Sequence, residues 1–100
     1  MRKLIFSLSL AQKAGKLASG DTAVQFAVKS GKAYLLLMAV DASENSKKYI
    51  TNLAENNGVE LSCCLSKADL GAAIGKAQRI VVAVLDKNFS DMIKKQVNDI

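Results

Sequence analysis

The chain has 100 residues, 50% of them hydrophobic, with a formal net charge of +5 and no histidine. This length suits one aliphatic core, so residues 1–100 are expected to form a single domain. Without histidine, the usual zinc sites and the catalytic pairs that need an imidazole are excluded. No apolar run approaches a membrane span, so we expect a cytoplasmic protein with no membrane contact.

The positive charge is unevenly distributed along the chain. Residues 1–32 hold six of the fourteen basic residues and only one of the nine acidic ones, which leaves eight of each for the remainder. A basic cluster of this kind is typical of a surface that binds a polyanion, with nucleic acid the leading candidate. The alternative is plain solubility, for which small domains commonly carry a few net charges.

The first third predicts two helices joined by a short extended piece. Apolar spacing predicts the first helix from Arg2 to Ala14, ended by Gly15, with an extended stretch over 16–19. The second helix is expected to start at 20–22 with capping side chains and to close at Gly31. The free amides of such a start favour an anion such as phosphate, but an ordinary capped helix needs no ligand.

The two faces of the second helix are predicted from its helical wheel. Phe26 is unusual, because it is a large aromatic residue on the side that is expected to be polar. The inner face is predicted to hold Ala23, Val24, Ala27 and Val28, and the outer face Thr22, Gln25, Phe26 and Lys29.

The rest of the chain predicts apolar strands alternating with helices, which gives an α/β protein built as a three-layer α/β/α sandwich. Gly71 and Gly75 are both expected inside the fourth helix. Glycine is unfavourable there, so a close approach to the sheet or to a ligand is expected at these positions. The strands are predicted over 33–42, 59–65 and 79–86, and the helices over 44–56, 66–76 and 87–99.

Few residues of the chain are suited to catalysis or to metal binding. Cys63 and Cys64 are adjacent, so their side chains should point to opposite faces of a strand, and we expect buried thiols in a reducing compartment. Asp41 and Asp86 follow predicted strands and could share one sheet edge, although helix caps or turns explain them equally well. No cofactor or metal is expected, and an enzyme is the weaker interpretation.

Several segments resemble the ribosomal protein L7Ae/L30e family, in particular its small bacterial branch. SLAQKAGKLASGD at residues 9–21 is similar to the opening of that branch, and SKADLGAAIGK at 66–76 follows the family signature SK-x-x-LG-x-A-x-G. The segments 41–49 and 79–89 are also similar. The resemblance implies an L30e-like sandwich with a small mixed sheet. It also implies a non-catalytic protein that binds kink-turn or related structured RNA, with ribosomal RNA as one candidate, and we expect the protein to be a monomer.

The helix-two motif of this family departs from its usual form here. Members grip the bent RNA with a motif that reads G-x-N-E-x-x-K, followed by a glycine five residues later. Gly20 and Gly31 fit this register, which places Thr22, Ala23 and Phe26 where Asn, Glu and Lys read tandem sheared G·A pairs. The resemblance therefore implies RNA binding with altered specificity.

Two functions remain open from the sequence. The first is an RNA-binding, ribosome-associated accessory protein, in which lysines attract phosphate and Phe26 stacks on an unpaired base. The second is a protein-interaction module that has lost the RNA site, in which Phe26 contacts another protein. A simpler alternative for Phe26 is a packing contact with the first helix. The candidate RNA-binding residues are Lys16, Gly20, Asp21, Thr22, Ala23, Phe26, Lys29, Lys32, Ser66, Lys67, Leu70 and Gly71.

Overall fold

The structure is a computed structural model that describes residues 2–99. Helices and strands alternate in the predicted order. Within the described residues, no helix has both the length and the apolar character needed to cross a membrane. The elements are α1 (Arg2–Lys13), β1 (Leu17–Ser19), α2 (Asp21–Lys29), β2 (Leu35–Met38), α3 (Glu44–Asn56), β3 (Glu60–Cys63), α4 (Lys67–Ala73), β4 (Val81–Val84) and α5 (Lys87–Asn98).

The four strands form one mixed sheet in the order β1-β4-β2-β3. The β2 and β3 strands are parallel, whereas β4 is antiparallel to both of its neighbours, so that Val84 lies between Leu17 and Leu35. The predicted extended piece is therefore an edge strand. The α/β sandwich with a small mixed sheet is confirmed.

The central strands are buried on both faces, as their continuous apolar runs predict. Alternate residues face opposite layers: Leu35 and Leu37 pack on one side, and Leu36 on the other. The first layer contains α1, α4 and α5, and the second contains α2 and α3. Each helix contributes a stripe of aliphatic side chains, and burying these stripes against the sheet is the main source of stability.

The edge strand β3 differs from the prediction of burial on both faces. Its residues are exposed or half-buried, because an edge strand is covered on fewer sides. Cys63 is exposed and Cys64 is half-buried, so the prediction of two buried thiols is wrong. Burial raises the pKa of the Cys64 thiol to about 11, with a smaller rise from Cys63, which keeps this thiol protonated at neutral pH.

The two glycines of the fourth predicted helix have different roles. The α4 helix ends at Ala73, so Gly75 lies beyond it, in the left-handed region with φ 71°, and its predicted helical position is wrong. Gly71 does lie inside α4, and a Cβ there would collide with the carbonyl oxygen of Ala77. The close approach is thus confirmed, but its partner is the chain's own α4–β4 loop and not the sheet or a ligand.

Candidate nucleic-acid interface

The sheet has two distinct ends, and the strand directions decide which residues lie at each. At one end the amide of Ala39, after β2, donates to the carbonyl of Ile80, before β4 (2.8 Å). Because β1 is antiparallel to β4, the end of β1 and the start of α2 also lie here. At the opposite end the amide of Leu85 donates to the carbonyl of Lys16 (2.8 Å). We call these the groove end and the lysine end.

The start of α2 lies at the groove end and has an unusual cap. Gly20 is the N-cap residue with φ 90°, a value that glycine adopts readily. Among residues 2–99 no side chain caps this terminus, so the prediction of capping by Asp21 or Thr22 is wrong. The first helical hydrogen bond runs from the amide of Val24 to Gly20 (3.0 Å), which leaves the three preceding amides outside the helical ladder.

The start of α4 lies nearby, but two of its three leading amides donate to side chains of the protein. The hydroxyl of Ser66 accepts from the amide of Asp69 (3.1 Å), which confirms the predicted cap. The carboxylate of Asp41 accepts from the amide of Lys67 (2.8 Å) and so joins the end of β2 to α4. Of the two adjacent helix starts, the α2 start therefore has more amides available to an anion.

The α4–β4 loop is held against α4 and completes the groove end. The amide of Arg79 donates to the carbonyl of Lys67 (3.2 Å), and its guanidinium donates to the carbonyl of Gln78 (3.0 Å). The absence of a side chain at Gly71 lets the loop approach this closely. The Nε of Arg79 is buried and has no partner within residues 2–99. The groove end thus places two cationic residues, Lys67 and Arg79, beside the start of α2, and loop carbonyls hold the guanidinium of Arg79.

These elements enclose an open groove of about 410 Å³. It brings together three predicted site residues, at the starts of α2 and α4, with three residues of the α4–β4 loop and the first residue of β4, all four of which the site prediction missed. Arg79 does stand out in the sequence as a basic residue just before an apolar run, but its position beside α2 depends on the sheet order. The groove is lined by Gly20, Asp21, Lys67, Gln78, Arg79, Ile80 and Val81.

The residues at the altered motif positions lie on the exposed side of α2. Thr22 and Ala23 are both exposed, so the prediction that Ala23 faces the core is wrong. Phe26 is 66% exposed, as its outer position predicts, and the Nζ of Lys32 lies 5.7 Å from its ring centroid. Because α1 packs on the other side of the sheet, the predicted alternative of a contact between Phe26 and the first helix is wrong.

Leu70 and Gly71 do not reach the surface. Leu70 is 1% exposed and packs in the core between α4 and the sheet. Gly71 is buried beneath the α4–β4 loop. These two residues support the groove from below and do not line it.

The basic cluster that the sequence shows within residues 1–32 does not form one positive surface around the start of α2. Lys16 lies at the lysine end, and Lys29 is about 12 Å along the α2 axis from its start. Lys32 follows α2, and Tyr34, two residues later, donates its amide to Val84 at the lysine end. Within the described residues, none of these lysines forms an ion pair. Only Lys67 of the four proposed phosphate-attracting lysines lies at the groove.

Together, the sandwich and the groove define a small α/β protein of the L30e-like class, with an anion-ready helix start beside two cations. The profile of the ribosomal protein L7Ae/L30e/S12e/Gadd45 family matches residues 3–94. The chain belongs to this family.

Two curated relatives cover most of the chain. The chain is 37% identical to the RNA-binding protein YlxQ of Bacillus subtilis (strain 168) over an alignment of 86 residues. The alignment covers 86% of this chain and 86% of the relative. The chain is 29% identical over 96 residues to the RNA-binding protein YlxQ of Enterococcus faecium, which is 96% of this chain and 92% of the relative. The family and these names confirm the prediction that the protein is not an enzyme.

Two solved structures share the fold. A protein of unknown function from Bacillus halodurans C superimposes with a TM-score of 0.92 at 28% identity, covering 98% of this chain and 99% of that one. The Giardia lamblia 15.5kD RNA binding protein superimposes with a TM-score of 0.77, covering 98% and 84% of the two chains. Its identity is 20%, so this likeness concerns the fold alone.

Proposed function

We propose that the protein binds structured, kink-turn-like RNA at the groove, as a ribosome-associated accessory protein in the cytoplasm. The chain acts as one domain and as a monomer. The observation that carries this proposal is the set of uncapped α2 amides beside Lys67 and Arg79 in one groove. The names of the curated relatives support RNA as the ligand.

The groove makes the direct contacts with RNA, and the lysines farther from the groove attract RNA over a longer range. A phosphate at the start of α2 accepts hydrogen bonds from backbone amides and lies next to two cationic side chains. Lys16, Lys29 and Lys32 add a long-range positive field that speeds association and weakens with salt. Binding is therefore expected to depend strongly on salt.

Specificity is expected to differ from that of the usual family motif. Thr22 keeps one hydroxyl, Ala23 offers no hydrogen-bonding side chain, and Phe26 presents a ring, so the polar readers of the G·A pairs are lost. Each lost base contact removes about 1–3 kcal/mol of discrimination. The phosphate contacts remain because they come from the backbone and from cations.

The test is an affinity titration of wild-type protein with a kink-turn RNA and with a straight duplex of equal length, at low and at physiological salt. The triple variant Thr22→Asn, Ala23→Glu, Phe26→Lys restores the motif and should raise the preference for the kink-turn at least about tenfold. Absence of RNA binding by the wild type at low salt would refute the proposed function. An unchanged preference in the triple variant would refute the altered specificity alone.

The second candidate is a protein-interaction module. The observation that favours it is the exposed ring of Phe26, held beneath the Lys32 ammonium. Phe26→Lys should abolish capture of the partner, whereas Phe6→Lys on α1, where the ring is 64% exposed, should not. If both variants capture the same proteins as the wild type, this candidate fails.

A further inference from the structure

The groove continues into a polar cleft between α2 and α3. A small intermediate cleft of about 200 Å³ shares Asp21 and Ile80 with the groove. It shares Tyr49 with a third cleft of about 380 Å³, which we call the α2–α3 cleft. The three clefts therefore adjoin one another in a row that starts at the beginning of α2 and runs along α2 and α3. The α2–α3 cleft is lined by Gln25, Lys29, Tyr49, Asn52, Leu53, Asn56 and Asn57.

Tyr49 stands at the junction of these clefts. Its neighbours on the apolar face of α3, Ile50 and Leu53, are 2% and 8% exposed, whereas Tyr49 is 48% exposed. Helical spacing assigns Tyr49 to that apolar face, but the structure leaves half of the side chain open to solvent. A large, half-exposed aromatic ring at the mouth of a cleft is suited to stacking with another flat group.

The polar groups of the α2–α3 cleft are largely unused. Within residues 2–99, the side-chain amides of Gln25, Asn52 and Asn56 make no hydrogen bond to another protein group. The side-chain amide of Asn57, in contrast, donates to the carbonyl of Leu53 (2.9 Å). An amide side chain offers both donors and acceptors, as the edge of a nucleobase does.

The charge of this cleft also favours RNA. Its lining includes Lys29 and no carboxylate. Lys29 forms no ion pair among the described residues, so its ammonium is available to a phosphate. The α2–α3 cleft thus combines a stacking surface, amides and one unpaired cation in continuity with the groove.

We propose that the α2–α3 cleft binds an unpaired nucleotide of the RNA held in the groove. Its base stacks on the ring of Tyr49 and presents its edge to the side-chain amides of Gln25 and Asn52. Its phosphate lies near Lys29. This inference rests on the proposed function and extends the site beyond the α2 start.

The experiment is a fluorescence-anisotropy titration with two RNAs: a kink-turn, and the same kink-turn with a short unpaired extension on either strand. The extension should raise the affinity of the wild type between about fivefold and a hundredfold, the range of one aromatic–base stack. Tyr49→Ala should abolish this gain, whereas Tyr49→Phe, which keeps the ring, should retain it. Tyr34→Ala is the matched control, because Tyr34 is 49% exposed and lies at the lysine end.

The outcomes separate this inference from the proposed function. If the wild type binds neither RNA, the proposed function fails. If the wild type binds the kink-turn but Tyr49→Ala retains the full gain, or the extension adds nothing, the inference is overturned and the function stands. If Tyr49→Ala weakens both RNAs equally, the inference is also overturned, because the ring then has no role specific to the unpaired nucleotide.

Discussion

The groove end and the lysine end of the sheet are built in different ways. The groove end joins residues that are far apart in the chain, through the contacts of Asp41 with Lys67 and of Arg79 with Lys67. The lysine end gathers residues that follow helix termini within the first third of the sequence, such as Lys16 and Lys32. Charge that is concentrated in the sequence is therefore not concentrated at the groove.

This difference implies that long-range attraction of RNA and direct contact with RNA come from different ends of the sheet. Lysines at a distance raise the encounter rate with a polyanion, but they do not fix its position. The groove end carries fewer of the proposed lysines, yet it presents backbone amides and two cationic residues in one groove. Variants that damage one end and spare the other can test whether the two ends have these separate roles.

The largest loss of stability is expected from Gly71→Ala. The added methyl group meets the backbone of Ala77, which cannot move aside without displacing the α4–β4 loop. We expect the free energy of unfolding to fall by about 3 kcal/mol, measured by urea denaturation. Hydrogen exchange should show lost protection at Ala39 and Arg79 while Leu85, at the lysine end, stays protected.

Gly75→Ala is the control for this variant. Gly75 has open space around its Cα, so only its positive φ opposes a side chain, at a cost of about 1 kcal/mol. Equal losses in the two variants would show that the loop contact at Gly71 does not matter.

A moderate loss of both stability and RNA affinity is expected from Asp41→Ala. The change removes the acceptor for the Lys67 amide and should lower the free energy of unfolding by about 1–2 kcal/mol. Because this bond positions α4 at the groove, affinity for RNA should fall as well. Asp41→Asn keeps an oxygen acceptor and should lose less of both.

The matched control is Asp86→Ala at the lysine end. Asp86 caps α5 by accepting from the amide of Phe89 (2.9 Å), so its loss should destabilise the protein to a similar extent. It should leave RNA affinity unchanged, because the groove does not depend on α5. A similar loss of RNA affinity in both variants would argue against separate roles for the two ends.

The smallest change, in RNA affinity and in its salt dependence, is expected from removing single lysine charges. Lys67→Gln should lower RNA affinity threefold to tenfold and reduce the slope of log affinity against log salt by about 0.9, the value for one phosphate contact. Lys16→Gln should change the slope by less than half as much, because Lys16 acts at a distance. A larger change for Lys16 than for Lys67 would reverse the assignment of the two ends.

The elements with strong local signals were predicted well. The α3 helix has the predicted bounds 44–56, and Ser43 caps it by accepting from the amide of Ser46 (3.2 Å). Asp86 is also a helix cap, one of the roles foreseen for it. Caps and apolar periodicity act within a few residues, so the sequence contains the information needed to predict them.

Several of the errors occurred where a residue's environment comes from distant parts of the chain. The prediction for Cys63 failed because β3 is an edge strand, and strand order is not a local property. Gly75 was placed in α4 because the sequence does not show where the chain turns back over Gly71. Gln78 and Ile80 were missed as groove residues because only the pairing of β4 between β1 and β2 brings them beside α2.

The sequence by itself determined the order of helices and strands, most of their apolar positions and the family, since these depend on spacing over a few residues and on recognisable segments. The tertiary structure decided which residues share a surface. The β1 strand runs from one end of the sheet to the other, so neighbours in the sequence such as Lys16 and Gly20 lie at opposite ends. Lys67 and Gly20, far apart in the sequence, line the same groove.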